Sequence, residues 1–384
     1  MQVESRYTVN GVRTSRPLKP MSLSHVGLFY DDLKETIKFY RDTLGLEVSD
    51  FGARSHLGGG EAPRLVFVRA GTEHHCISLF PRDMKMPRDD VHMQHAAWNI
   101  RTYSELMKAV DFVTEKGYRP EFLVRRSPGG NYAVYFFDPE GNRIELAYGL
   151  ELIGWQGTPK PYELWSKFLV EGTLPKPPIT PAEEEIEVIR KGYDYFGSTK
   201  CSYTLEKAYE LLPDPKVPKR YDASGEGRPR PFKIERIRYY SLTCQDLARQ
   251  HKFYQEIMGL RTVGRGMKGE VLMSVGFGNE TELKLVKSPA RESPRLQRAC
   301  FELRSYGELL GAAAYLRTKG VRVVYEGRGE SPSLHNELCI DIADPSGNPI
   351  RLTFSPDSKG MKEKEQSITD SPGLPPLLEC ELSD

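Results

Sequence analysis

Asp138-Pro139-Glu140-Gly141-Asn142-Arg143-Ile144-Glu145-Leu146-Ala147 reads as a hairpin turn running into a strand. Asp, Pro, Gly and Asn supply the turn chemistry. From Arg143 the pattern alternates at period two, so Ile144 and Leu146 face a core while Glu145 and Ala147 share the opposite face. Two other strands of the chain have this design. Ser24-His25-Val26-Gly27 and Gln94-His95-Ala96-Ala97 each present an imidazole followed on the same face by a small residue, with Val26, Leu28, Trp98 and Ile100 behind. A polar side chain and a gap in front of a bulky back suggest that the gaps leave room for a substrate.

Working outward, the first of these strands spans residues 23–30. Asp32 and Glu35 then open a helix as a capping box, Leu33, Ile37, Tyr40 and Leu44 continue it at helical spacing, and Gly45 stops it. Strands at 46–51, 64–69 and 75–80 complete a βαβββ unit. A second unit follows: a strand at 95–100, a Thr102/Glu105 capping box, a helix through Leu106, Ala109, Val110 and Val113 that ends at Gly117, and three strands. From Ile234 both units reappear. Tyr239 to Leu247 tracks His25 to Leu33, and Leu303 to Leu309 tracks Ile100 to Leu106. Asp344-Pro-Ser-Gly-Asn-Pro-Ile-Arg351 tracks the opening stretch. Four copies of one supersecondary unit define an α+β protein of two modules with cupped, antiparallel-rich sheets.

The expected boundaries are an N-terminal arm (1–21), a first module (22–148), a Pro-rich helical insert and linker (149–233), a second module (234–355) and a polar tail (356–384). In the insert, helical patterns fall at 162–170 and 182–193. In the alignment of the copies His25 becomes Tyr239, His95 becomes Arg298 and Glu145 becomes Arg351. The second module is therefore expected to bind no metal.

Composition narrows the function classes. Lys+Arg 54 against Asp+Glu 53 gives a net charge of +1 over 384 residues, which offers no bias towards nucleic acid or an anionic membrane surface. No apolar run approaches the roughly 20 residues that span a bilayer, and the N-terminus lacks signal-peptide order, so a cytoplasmic location is expected. The cysteines at 76, 201, 244, 300, 339 and 380 form no CxxC pair and read as buried small residues. Histidine is uneven: His25, His56, His74, His75, His92 and His95 all fall in the first quarter of the chain. Two imidazoles and one carboxylate on one face of a metal, with open positions left over, is the donor set of non-heme Fe(II) oxygenases. His25, His95 and Glu145 are the expected ligands, for Fe(II), with Mn(II) suited to the same donors.

The strand at His25 before a Phe39-Tyr40 helix, Leu44-Gly45-Leu46, and the Asp138-to-Glu145 block together resemble the vicinal oxygen chelate superfamily. That superfamily holds glyoxalases, resistance proteins, epimerases and type I extradiol dioxygenases. The resemblance implies two vicinal oxygen chelate modules, and two details direct it to the ring-cleaving branch. Where glyoxalases and epimerases draw a fourth ligand, this chain has Ser78. Ten residues before Glu145 stands Tyr135, at the offset of a substrate-contacting tyrosine in extradiol enzymes. By the same resemblance His75, in an HxxxL context, is the expected catalytic general acid, with His74 as a competitor for contact with the substrate. Arg125 and Arg126 replace a further histidine of many such enzymes and would suit a ring carboxylate. A second departure is that the metal falls in the N-terminal module. The implied partners are an aromatic diol and O2, with a homo-oligomer left open. The competing function is a metal-dependent glyoxalase, epimerase, isomerase or fosfomycin-resistance-type transferase, which uses a metal as a Lewis acid without O2.

Overall fold

The structure, a computed structural model, describes residues 7–9, 12–14, 16–52, 64–84, 93–125, 131–153, 170–171, 190, 219, 221–223, 226–266, 269–276, 280–288, 295–328 and 337–354. After a short hairpin of β1 (Tyr7–Val9) and β2 (Val12–Thr14), β3 (Ser22–Tyr30) opens the first sheet. It is followed by α1 (Leu33–Ile37), β4 (Glu47–Gly52), β5 (Leu65–Arg69) and β6 (Ile77–Pro81). The second unit is β7 (His95–Asn99), α2 (Tyr103–Glu115), β8 (Phe122–Arg125), β9 (Tyr132–Phe137) and β10 (Arg143–Tyr148). With β11 (Val170–Glu171) these strands form one sheet in the order β11-β8-β9-β10-β7-β3-β6-β5-β4. The two units are fused back to back through the antiparallel β3–β7 pair.

A hairpin of β12 (Tyr221–Ala223) and β13 (Glu226–Arg228) precedes the second sheet. That sheet repeats the design with β14 (Ile234–Cys244), α3 (Leu247–Glu256), β15 (Arg261–Arg265), β16 (Val271–Ser274) and β17 (Leu283–Lys287). Then come β18 (Arg295–Leu303), α4 (Tyr306–Thr318), β19 (Tyr325–Arg328), β20 (Leu338–Ala343) and β21 (Pro349–Phe354). Its order is β15-β16-β17-β14-β18-β21-β20-β19. In both sheets most pairs are antiparallel, and the parallel ones join the first and last strand of each unit.

Capping chemistry sets the helix starts. Thr102 and Glu105 form the reciprocal box at α2, and the side chains of Asp32, Asp246 and Ser305 each accept from a backbone N–H three residues on. One expectation needs correcting. The helix after β3 stays α-helical for only five residues and continues as a π-helical turn, Lys38–Thr43, in which Leu44 N–H reaches back to Phe39 O. A single widened turn of this kind inserts one residue and shifts which side chains face inward. Here both Phe39 and Tyr40 are buried.

The core faces of both sheets and their helices share one apolar cluster, running from Val26, Trp98 and Leu146 to Tyr240, Phe301 and Leu352. The Asp-Pro-x-Gly-Asn turns join the halves reciprocally. Asp138 Oδ2 accepts from Gln250 Nε2 at 2.6 Å and Tyr254 Oη at 3.2 Å, while Asp344 Oδ2 accepts from Tyr40 Oη at 2.9 Å. Cys76, Cys244, Cys300 and Cys339 are buried and free. Among the described residues no helix is long and apolar enough to cross a membrane.

Most of the 149–233 insert and all of the tail from 355 lie outside the described residues, as do His56 and His92. Arg190, inside the expected helical pattern at 182–193, is helical, but the end of the first pattern departs from expectation. Val170, expected to end a helix, is in a strand that pairs antiparallel with Arg125, satisfying the exposed edge of β8. Residues 151–153 run alongside 72–74, with His74 N–H donating to Glu151 O and Ile153 N–H to Thr72 O, both at 2.9 Å.

Candidate metal centre

Strand register brings His25, His95 and Glu145 together on one face of the first sheet. Gly27 pairs with His95 and His25 with Ala97 across β3–β7, and Ala97 pairs with Glu145 across β7–β10. His25 Nε2 lies 2.9 Å from His95 Nε2, and Glu145 Oε2 lies 3.3 Å and 3.1 Å from the two nitrogens. All three residues are buried, and among the described residues they are the one such cluster of potential ligands.

Each candidate ligand is braced by a side chain that the alternation pattern did not reveal. Ser24 Oγ is 3.0 Å from His25 Nδ1, Gln94 Oε1 accepts from His95 Nδ1, and Asn131 Nδ2 donates to Glu145 Oε1 at 2.7 Å. An acceptor on Nδ1 fixes the His95 tautomer and leaves the Nε2 lone pair facing the centre. Glu145 Oε2 has no hydrogen-bond donor of its own. Two imidazole nitrogens and a carboxylate oxygen converge on one buried point, which is electrostatically sound when a cation lies between them. The donors present therefore fit a divalent metal.

Electrostatics agree. Burial would raise the Glu145 carboxyl, but the adjacent His25 and His95 overcome it and hold the group well below the usual carboxylate range. Burial pushes the His95 imidazole down to about 4, partly opposed by Glu145. Both shifts favour the deprotonated, metal-binding forms.

One small residue on this face, Gly27, has a different use from the one expected. A Cβ at Gly27 would stand 2.5 Å from His95 Nδ1, so the space in front of Gly27 is taken by the His95 ring rather than by substrate.

His75 lies against the triad, its ring centroid 4.1 Å from that of His25, and its Nε2 is buried with no hydrogen-bond partner. Burial, reinforced by His25, His74 and His95, pushes this imidazole well below its ordinary value. His74 sits behind it, with Nδ1 2.8 Å from His75 Nδ1. Strand parity does not separate the two, because β6 begins only at Ile77. Tyr135 pairs with Glu145 across β9–β10, and its ring is 5.8 Å from His95. Ser78 is buried opposite Gly27, with an unpartnered hydroxyl, outside the ligand cluster.

The Arg125 side chain and Arg126 lie outside the described residues. Composition also concealed an apolar wall. Phe29, Leu65, Phe67 and Phe80 form a cluster separate from the main core, with Phe80 5.7 Å from His95 and Phe67 4.8 Å from His75. Glu73, near His25, is raised by burial and was likewise unmarked in the sequence.

The second sheet repeats the register with other chemistry. Tyr239 pairs with Cys300 and Cys300 with Arg351, so Tyr239, Arg298 and Arg351 occupy the positions of the three ligands. Arg351 is buried in a bidentate pair with Asp341 at 2.7 and 2.8 Å, and Arg298 Nε reaches the same carboxylate at 2.8 Å.

Comparison with known proteins accords with this architecture. Metapyrocatechase 2 of Cupriavidus necator is 30% identical over 137 residues, 35% of this chain and 38% of that protein. The chain thus matches little more than a third of this curated relative's length. Among solved structures, a 2,3-dioxygenase from Pseudomonas sp. KL28 is alike in fold at a TM-score of 0.57 and 16% identity, covering 88% of this chain and 93% of that one. The Mn(II)-bound glyoxalase from Novosphingobium aromaticivorans gives 0.56 and 16%, covering 88% and 83%. The family model described as Glyoxalase/Bleomycin resistance protein/Dioxygenase superfamily matches residues 22–146 and 236–352, which are the two repeated halves of the α+β fold. The chain belongs to that superfamily.

Proposed function

We propose that the protein is a non-heme Fe(II)-dependent extradiol dioxygenase that opens an aromatic diol with O2. The observation that carries the reading is the buried convergence of His25 Nε2, His95 Nε2 and Glu145 Oε2 beside the unpartnered Nε2 of His75. These three donors would hold the ion, and Mn(II) suits them as well as Fe(II). Bound there, it supplies a Lewis-acidic, redox-active centre with positions open to a chelating diol and to O2.

The chain's own groups do the rest. His75 Nε2 takes a proton from a substrate hydroxyl and later returns it to the departing oxygen. Tyr135, across the site beside His95, hydrogen-bonds a substrate oxygen. Phe80 and Phe67 give the ring an apolar wall and keep water from the reacting atoms. Ser78 offers a hydroxyl with no protein partner, and His74 braces His75 from behind. Arg125, the last residue of β8, and Arg126, next in sequence, are the candidates to meet a carboxylate on the ring. The name and sequence similarity of the Cupriavidus relative support ring cleavage over the glyoxalase alternative.

The test is anaerobic loading with Fe(II), addition of a catechol panel and then admission of air. Oxygen uptake with a yellow ring-opened product is expected. Turnover of a hemithioacetal or epoxide, with no oxygen consumed for any diol, would overturn the proposal.

A further inference from the structure

A lateral row of side chains crosses the site face of the first sheet. Asp50 pairs with Phe67, Phe67 with Ser78, Ser78 with Gly27 and Gly27 with His95. At its far end Asp50 is fully buried beside aromatic rings, where a carboxylate is costly unless it is hydrogen-bonded. A register irregularity between Val48 and Asp50 turns this residue onto the site face. Its Oδ1 accepts from Phe51 N–H at 2.7 Å, and its Oδ2 lies 3.4 Å from His74 Nε2. His74 Nδ1 in turn lies 2.8 Å from His75 Nδ1, and the chain ends at His75 Nε2, buried and unpartnered against the His25 ring. His74 is itself fully buried, and among the described residues its ring lies against these two neighbours and Phe67.

We infer that Asp50 and His74 are positioning residues that hold His75 in the Nδ1–H tautomer, so that it presents an Nε2 lone pair to the substrate hydroxyl. A carboxylate oxygen only accepts, so neutral His74 donates its Nε2–H to Asp50 and is left with a lone pair on Nδ1. That lone pair accepts the Nδ1–H of His75, which leaves His75 Nε2 unprotonated. When the substrate O–H bond breaks, its proton forms the new bond at this nitrogen. The chain also fixes the ring's orientation, because His75 precedes β6 and has no strand pairing to hold it. The inference rests on the catalytic role proposed above for His75, but it makes a claim about tautomer that stands apart from the reaction.

Nitrogen NMR on full-length protein with 15N-labelled histidine, loaded with diamagnetic Zn(II), reads the tautomer directly. Wild type is expected to show a protonated Nδ1 and a bare Nε2 on His75. Asp50→Leu and His74→Phe should each mix the two forms, with metal content unchanged. In the Fe(II) enzyme each should lower kcat by about tenfold or more while KM stays within about twofold. A protonated Nε2 in wild type overturns the inference without recourse to any variant. So does a wild-type tautomer and kcat in both variants. The expected tautomer in a protein that consumes no oxygen with any diol upholds the lock and removes only the ring-cleaving reading.

Discussion

His95 is held between Gly27, which leaves space for its ring, and Gln94, which takes its Nδ1–H. Buried beside Glu145, its imidazole protonates only at about 4, whereas in the unfolded chain it does so at about 6.5. The folded-state value is depressed, so between these limits the unfolded chain binds the extra proton and stability rises with pH. Glu145, also held low, adds loss in the same direction at lower pH. Metal-free protein is therefore expected to lose about 3 kcal/mol from this one histidine as pH falls from about 6.5 to about 4. Urea midpoints across that range check it, and His95→Asn should flatten the slope; equal slopes would mean that His95 is solvated in the metal-free fold. The three candidate ligands were legible because each sits in a strand where period two separates faces. Their braces were not. Ser24 lies at the register shift between Leu23 and His25, Asp50 at another, and Gln94 and Asn131 just before their strands begin. Parity has no meaning at such places, and a brace declares itself only in three dimensions.

Among the elements, the Asp-Pro-x-Gly-Asn turns do more than reverse the chain. Asp138 Oδ1 accepts from the backbone of Glu140 and Asn142, each at 2.9 Å, and Gly141 takes the positive φ of 84° that the turn requires. Oδ2 is then free to take Asn142 Nδ2 at 2.8 Å and two donors from α3 of the other half. The turn was read from sequence as a hairpin device, and it is one. Its second use was invisible because Gln250 and Tyr254 lie more than a hundred positions away, with no local signal linking them. Asp138→Ala is expected to cost about 3 kcal/mol or more, since it strands Gln250 and Tyr254 as buried donors. Tyr254→Phe alone should cost about 1 kcal/mol. Denaturant titration separates the two, and equal small losses would show that the turn contributes nothing between the halves.

At the scale of the whole molecule, duplication supplies an internal control. The two sheets share strand order and register, yet the positions of His25, His95 and Glu145 are filled by Tyr239, Arg298 and Arg351. The repeat, and hence the fold, was readable from sequence because the Asp-Pro-x-Gly-Asn blocks and capping residues recur at matching offsets. What fills the matching positions of the second half was not readable, because Asp341 stands where the first half has Tyr135 and Glu337 where it has Asn131. These acids become partners only through register: Asp341 opposite Arg351, and Glu337 accepting from Thr353 Oγ1 at 2.7 Å and Tyr239 Oη at 3.3 Å. A cation fixed in the chain, paired with fixed anions, thus fills the second cup. If that pair is scaffold and no more, breaking it should harm stability and spare the first site. Arg351→Leu leaves Asp341 buried with only Arg298 beside it, and is expected to cost about 3–5 kcal/mol. Metal content should stay at one ion per chain, lost only on substitution of His25, His95 or Glu145, and KM for the proposed diol substrate should not move. Metal analysis together with thermal unfolding decides this. A fall in metal content in Arg351→Leu would mean that the second sheet helps to hold the ion, and that the halves divide the work less cleanly than their ligand positions indicate.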